Sequence, residues 1–166
     1  MDGEEGRVQI YTGCGKGKST AAFGLAMRCA GNGGRVFVIQ FQKARECGEH
    51  RSAEKLGVSV TRCAGGRGSS PCARRCPLLS AAFDIFERQS ADLLILDEIM
   101  AAIRHGCVSL SDALALLSAR PRGAELMMTG RGAPEALIER ADLVTEMKKI
   151  KHYYDEGIPA RRGVEF

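Results

Sequence analysis

Eight consecutive residues, Gly13-Cys14-Gly15-Lys16-Gly17-Lys18-Ser19-Thr20, carry the backbone freedom and the donors that an anion site needs. Glycines let successive N–H groups turn toward one anion, Lys18 is a cation able to reach terminal phosphates, and the Ser19 hydroxyl is a ligand for Mg²⁺ or Mn²⁺. The general pattern G-x-x-x-x-G-K-[ST] wants Gly where this chain has Thr12, and the shorter loop adds a second cation, Lys16. An ordinary Gly-rich turn is the simpler reading of these residues alone; a strand before them and a helix after them favour the phosphate loop. Cys14 reads as a small filler rather than a nucleophile. The partner signal is Leu93–Glu98, an apolar run that ends in Asp97-Glu98. Carboxylates at the C-terminal end of a central parallel strand face the crevice where open α/β sheets bind ligands, and beside a triphosphate they hold Mg²⁺ or its waters. The two signals together predict a nucleoside triphosphate with a divalent cation. They leave the reaction open among ATPases, kinases, GTPases and motors.

The elements that must position these groups alternate along the chain. Arg7–Thr12 is a short β-rich run before the loop, and Ala22, Phe23, Leu25, Ala26 and Cys29 then recur at helical spacing up to Gly31-Asn32-Gly33-Gly34. Arg35–Phe41 is a nearly continuous apolar strand, followed by a short helix near Ser52–Leu56, a strand at Val58–Arg62 and a helix over Pro77–Ser90. Asp92–Glu98 is the most apolar strand and is expected to be central. Ser109 caps a helix that runs to Ala119 before Pro121, Glu125–Thr129 is a strand ended by Gly130-Arg131-Gly132, Pro134 opens a helix, and Leu143–Met147 is the last strand. Apolar strands alternating with helices predict an α/β doubly wound domain: a mainly parallel sheet with helices on both faces, in three layers, of the P-loop (RecA-like) nucleotide-binding type. No linker or repeat divides the chain, so residues 1–166 are expected to form one nucleotide-binding domain, with a Cys/Arg-rich insert at 63–77 and a basic tail at 148–166.

Composition narrows the setting. The chain has 166 residues, 45% apolar and 27% charged, a length for one domain with its own core, and this content excludes disordered and collagen-like classes. No apolar run approaches the roughly 18 residues of a membrane-spanning helix. Met1-Asp2-Gly3-Glu4-Glu5 bears acids where a signal peptide needs cations, so a cytoplasmic location is expected. A net charge of +4 does not by itself name a nucleic-acid partner. The seven cysteines, an odd count, read as thiols, metal ligands or redox groups rather than a full set of disulfides.

Gly15-Lys16-Gly17-Lys18-Ser19-Thr20-Ala21-Ala22-Phe23-Gly24 resembles the loop of the ATP:corrinoid adenosyltransferase family, which acts on cob(I)alamin or cob(I)yrinic acid a,c-diamide. Val38-Ile39-Gln40-Phe41, Leu96-Asp97-Glu98-Ile99, Ala119-Arg120-Pro121 and Thr129-Gly130-Arg131-Gly132-Ala133-Pro134 are similar too. So are Ala141 to Met147 and the tail from Lys151-His152 through Asp155 to Gly163. These segments cover roughly residues 7–43 and 92–166, in the family's order. The resemblance implies that triphosphate is the leaving group. Cobalt as Co(I), a strong nucleophile, attacks the ribose C5′ of ATP, forms a Co–C bond and releases inorganic triphosphate. ATP lies in the loop in the reverse of its usual direction. No side-chain base is then required; alignment and charge stabilisation carry the catalysis. On this reading Lys18, Lys16 and the loop amides of Gly13 to Thr20 neutralise the triphosphate, and Ser19, Glu98 and Asp97 hold the Mg²⁺. Arg28 matches a family position near the nucleoside, or is a solvated helix-face cation. Arg131 reaches phosphate, or sits in a simple turn. The cations Lys148, Lys149, Lys151, Arg161 and Arg162 are a solvated surface or a tail folded over the nucleotide or the corrinoid; His152 is likewise functional or merely exposed. The family also implies a homodimer and an electron donor such as a flavoprotein reductase, with no nucleic-acid or membrane partner.

The middle departs from the family pattern. Family members carry loop aromatics thought to displace the lower axial ligand of the corrinoid, whereas 63–77 here contains none, and the family's N-terminal extension is nearly absent. A precursor without a lower base needs no such displacement, which points toward an early corrinoid intermediate. Cys63, Cys72 and Cys76, with Cys47 as a fourth candidate, lie among Arg67, Arg74 and Arg75, cations that favour thiolates. They are free thiols in a loop or a Zn²⁺ or iron–sulfur site; the spacing C-x₈-C-x₃-C matches no strong metal signature, which favours the former. Two other functions compete. One is a RecA-like ATPase, opposed by Thr12 and by the low aromatic content of 5%. The other is a non-enzymatic corrinoid carrier or sensor, supported by the aromatic-free loop.

Overall fold

Strand and helix boundaries follow the apolar pattern closely. A computed structural model describes residues 5–43, 45–63 and 76–166. In chain order these form β1 (Val8–Thr12), α1 (Lys18–Gly31), β2 (Val36–Gln40), α2 (Gly48–Lys55), β3 (Ser59–Arg62) and α3 (Pro77–Glu87). They continue with β4 (Leu93–Asp97), α4 (Ile99–Arg104), α5 (Leu110–Ala119), β5 (Glu125–Thr129), α6 (Glu135–Ile138) and β6 (Leu143–Glu146), and then a 3₁₀ turn at Tyr153–Glu156. Among the described residues six strands join in the order β3-β2-β4-β5-β1-β6, and each pairing is parallel. The acid-bearing strand β4 is thus interior, as its composition predicts, and β5 separates it from the loop-bearing β1.

Continuous apolarity in β4 reflects burial on both faces. Leu93 and Ile95 pack with Ala22 and Ala26 of α1 and Ala53 of α2. Leu94 and Leu96 point the other way, into a larger cluster with Leu79, Ala82 and Phe86 of α3, Ala102 of α4, Leu116 of α5 and Leu137 of α6. The layers are therefore helix, sheet, helix. α1 comes close to the sheet through small residues, and the side chains of Ala22 and Ala26 are essentially inaccessible.

Two elements differ from expectation. α2 begins at Gly48, four residues before the predicted start, because Cys47 and His50 form a capping box that pays for an earlier start. α4 follows β4 directly, a helix the pattern of short apolar residues does not announce. Glu98 takes a left-handed backbone, φ 60°, and turns the chain from strand to helix in one residue. β6 pairs with β1, and all four of its residues are exposed. Residues 64–75, which include Cys72 and most of the predicted Cys/Arg-rich insert, lie outside the described residues. No helix among the described residues is long and apolar enough to cross a membrane.

The N-terminal edge of the sheet is pinned by charge. Asp92, just before β4, accepts the Arg35 backbone N–H at 2.7 Å, its Nε at 3.0 Å and its Nη2 at 2.9 Å. Those Arg35 side-chain and backbone hydrogen bonds hold the Asp92 carboxyl at about 2, against an ordinary 3.8. A carboxyl depressed by folding stabilises above its unfolded pKa, and the gain disappears as pH falls through the folded value. For this part-exposed pair Asp92→Ala is expected to cost about 1 kcal/mol at pH 7, roughly 3 °C in Tm. Calorimetry in an acid series should show wild type and variant converging as pH drops from 3.8 to about 2.

Candidate nucleotide-binding cleft

The phosphate loop is a tight backbone turn clamped from behind by the end of β6. Gly15 N–H donates to the Met147 carbonyl at 2.6 Å, and Met147 N–H donates to the Thr12 carbonyl at 2.9 Å. Gly13 has φ +96°, and a Cβ on it would stand 2.5 Å from the Met147 oxygen; on Gly15 the same oxygen would be 2.7 Å away. Neither position accommodates a side chain. Thr12, where the general motif has Gly, is still extended β1 backbone, and its Oγ1 accepts the Ala133 N–H at 3.3 Å. The departure from the motif therefore ties the loop to the turn after β5 rather than disrupting it. α1 opens after Gly17, and its first bond is Ala21 N–H to the Gly17 carbonyl. The N–H groups of Lys18, Ser19 and Thr20 precede that bond and are left for an anion. Lys18 is buried, and its Nζ donates to the carbonyls of Gly13 at 2.8 Å and Gly15 at 2.7 Å. Burial pushes its pKa down, Glu98 opposes that shift, and Arg131 adds to it.

Across the cleft stand the carboxylates. Asp97 is fully buried; its Oδ1 accepts the Thr129 hydroxyl at 2.7 Å and its Oδ2 accepts Gln40 Nε2 at 2.8 Å. The Glu98 N–H donates to Thr129 Oγ1 at 2.9 Å, so one hydroxyl of β5 holds both the Asp97 carboxylate and the backbone at Glu98. Ser19, Asp97 and Glu98 line the same cleft as Lys18. Their donors are all oxygen, and each Asp97 oxygen keeps a lone pair beyond its one hydrogen bond. That chemistry fits Mg²⁺ or Mn²⁺.

The remaining walls come from the connector after β2 and from the tail. Lys43 and Glu49 form a hydrogen-bonded ion pair there. Burial opposes both charges, but the mutual contact outweighs it, raising the pKa of Lys43 and lowering that of Glu49. The tail returns over the loop: Lys16 Nζ donates to the Val164 carbonyl at 3.1 Å and lies 3.8 Å from the Glu165 carboxylate. Glu165 also accepts the Tyr153 hydroxyl and the Arg161 N–H, which hold its pKa at about 2. The Arg45 guanidinium lies 5.2 Å from the centre of the Phe166 ring. The cleft so formed is open to solvent and has a volume of about 1350 Å³.

The structure brings Cys14 to Thr20, Asp97, Glu98, Arg131 and His152 to this cleft, with Gly13 at its base as an acceptor for Lys18. Arg28 is exposed in the last turn of α1, outside the lining. Lys149, Lys151 and Arg161 pair with the tail's own acids, Asp155, Glu156 and Glu165. Cys63 and Cys76 pack against the apolar cluster under α3, and Cys72 is outside the described residues. Among the described residues no three His, Cys, Asp or Glu side chains gather to hold a metal. Sequence reading missed Gln40, Thr129, the Lys43–Glu49 pair and Glu165 as site residues. For Gln40 a signal existed: a polar residue ending an apolar strand, at the register position paired with Asp97.

A parallel sheet with a lysine-bearing loop after β1 and paired acids at the C-terminal end of β4 defines a P-loop nucleotide-binding protein. Its fold resembles that of the flagellar accessory protein FlaH from Methanocaldococcus jannaschii, with TM-score 0.62, 15% identity, and coverage of 86% of this chain and 71% of that one. The chain belongs to the ATP:corrinoid adenosyltransferase BtuR/CobO/CobP family, whose model matches residues 4–166. It is 38% identical to a corrinoid adenosyltransferase from Pseudomonas aeruginosa, over 98% of this chain and 85% of that protein. It is 34% identical to a corrinoid adenosyltransferase from Escherichia coli K12, over 98% of this chain and 87% of that protein.

The clamp on the loop is directly testable. Gly13→Ala combines a left-handed backbone with a clash against Met147, and should cost about 1–3 kcal/mol in thermal unfolding. It should also weaken ATP binding, measured by calorimetric titration, more than tenfold.

Proposed function

We propose that this chain transfers the 5′-deoxyadenosyl group of ATP to the Co(I) centre of a corrinoid, releasing inorganic triphosphate, and that the cleft between Lys18 and Glu98 is where it does so. The observation that carries the reading is the convergence of the loop amides, Lys18 and an all-oxygen acid pair on one cleft. In the reaction the cobalt electron pair forms the Co–C5′ bond, the C5′–O bond breaks, and its electrons leave with the triphosphate as Co(I) becomes Co(III). The protein's work is to align C5′ with cobalt and to neutralise the departing charge. Lys18, Lys16 and the loop amides between Gly13 and Thr20, other than that of Gly15, which is committed to the Met147 carbonyl, would hold the triphosphate. Arg131, at the C-terminal end of the adjoining strand, would reach the same charge. Ser19, Asp97 and Glu98 would hold Mg²⁺, which supplies charge neutralisation on the leaving group.

Lys16 contacts Val164 and Glu165 here, so on this reading triphosphate takes over a cation that the tail otherwise occupies. The same reading assigns Arg28 to the nucleoside, a homodimer as the assembly, a flavoprotein-type reductase as the source of Co(I), and the cytoplasm as the location. A corrinoid lacking its lower base is the substrate most consistent with the aromatic-free sequence of 63–77.

One anaerobic assay tests the reading. With ATP, Mg²⁺ and chemically reduced corrinoid, a light-sensitive organocobalt spectrum should appear together with one triphosphate per corrinoid. Orthophosphate release that ignores the corrinoid would instead establish an ATPase, and binding without turnover a carrier. Lys18→Ala should lower the adenosylation rate about 10²–10³-fold, the scale expected when one preorganised charge contact to the developing anion is removed.

A further inference from the structure

The acid end of β4 is held by a line of polar side chains that leads away from the phosphate loop. Asp97 accepts from Gln40 Nε2. A carboxylate offers only acceptors, so Gln40 must turn its N–H₂ toward Asp97 and its carbonyl Oε1 the other way. That carbonyl meets His50 Nε2, and His50 Nδ1 accepts the Cys47 backbone N–H at 2.9 Å. With Nδ1 committed as an acceptor, the ring proton is on Nε2, and each donor and acceptor from Cys47 to Asp97 is matched in one direction.

The two ring nitrogens serve different ends. Nδ1 completes the capping box at the start of α2, in the place a Glu or Gln usually takes. Capping needs that one acceptor and nothing more. The contact from Nε2 to Gln40 is therefore not explained by the helix start, and it joins the start of α2 to the acid in the cleft. Gln40 is buried with only 1% of its surface exposed, which leaves its amide no water to fall back on if the contact is lost. Burial lowers the His50 pKa, Arg62 and Lys43 adding to that and Glu49 and Glu46 opposing, in keeping with a neutral ring.

We infer that His50 is a positioning residue for the divalent cation: through Gln40 it fixes the Asp97 carboxylate at the cleft, doing so as the neutral Nε2–H tautomer. The inference rests on the reading of Ser19, Asp97 and Glu98 as the cation's donor set. Removing such an outer partner typically costs 10–100-fold in metal affinity or activity.

Three variants separate the two ends of the ring. His50→Gln offers an N–H that reaches Gln40; His50→Asn keeps an acceptor near the Nδ1 position and is too short to reach it; His50→Ala has neither. The probe is Mn²⁺ added to the protein–ATP complex, with free Mn²⁺ followed by electron paramagnetic resonance. Binding of metal-free ATP and the melting temperature are measured alongside. We expect Asn and Ala to weaken Mn²⁺ binding about tenfold, Gln to restore it, and metal-free ATP affinity to stay at the wild-type value in all three. The melting temperature of the Asn variant should fall less than that of the Ala variant, since both leave the Gln40 carbonyl unmatched but only Asn keeps the cap acceptor. Imidazole ¹⁵N shifts of the unaltered protein should show the Nε2–H tautomer at neutral pH.

An Asn variant that binds Mn²⁺ as wild type does would overturn the assignment. So would a loss of metal-free ATP affinity in step with Mn²⁺, or an Nδ1–H ring. A wild-type protein that binds ATP but no Mn²⁺ would overturn the donor-set reading and this assignment with it. That outcome is told apart from a failure at His50 alone, in which wild type and Asn variant bind Mn²⁺ equally.

Discussion

The hydrogen bond from Gly15 N–H to the Met147 carbonyl is the constraint on which the cleft depends. A phosphate loop works only if its amides are held in a fixed concave arc, because unfixed amides would have to be ordered at the moment of binding. Here the arc is held from outside, by the residue that follows β6. That explains why β6, an exposed edge strand with little apolar burial, belongs to the machinery: it pairs with β1 in register from Gln9 to Thr12 and so brings Met147 behind the loop. It also explains the glycines. At Gly13 and Gly15 the neighbouring backbone leaves no room for a side chain, so close approach decides the residue type there as much as loop conformation does.

The opposite side of the cleft is governed by satisfied burial. Asp97 is a carboxylate with no exposure in the third strand of a six-stranded sheet, a position that costs dearly unless its oxygens are matched. Thr129 and Gln40 match them, one from each flanking strand, and Thr129 also takes the Glu98 N–H. The Asp97 carboxylate is thereby oriented, and the backbone at Glu98 anchored, before any ligand arrives. Lys18 is buried opposite them with its own partners, the carbonyls of Gly13 and Gly15. The tail does similar work on a smaller scale, since Glu165 pairs with Lys16 where phosphate would bring the same sign of charge.

Much of this was legible in the residues. Continuous apolar strands between amphipathic helices specify a parallel sheet covered on both sides, and β4 as an interior strand follows from its lack of any polar face. The loop and the Asp97-Glu98 pair stood out because their chemistry is local: a few consecutive residues determine what they can bind. α4 was not legible, because its helix is short and buried from Ile99 to Ala102, and its start depends on one residue, Glu98, taking a left-handed turn that no pattern announces. The earlier start of α2 was hidden for a related reason, since a histidine replaces the usual capping acid.

By itself the sequence determined the layer order, the phosphate loop, the acid pair and the family, all of which reside in runs of adjacent residues. Tertiary structure alone decided which distant residues share the cleft. Gln40 and Thr129 are ordinary polar residues at strand ends until register places them on either side of Asp97. His50 is an unremarkable helix residue until α2 returns over β2, and Glu165 is one acid in a charged tail until it meets Lys16. Register and chain return bring together residues 10 to 149 positions apart in sequence. Hydrogen bonds then select which of those encounters a buried carboxylate requires.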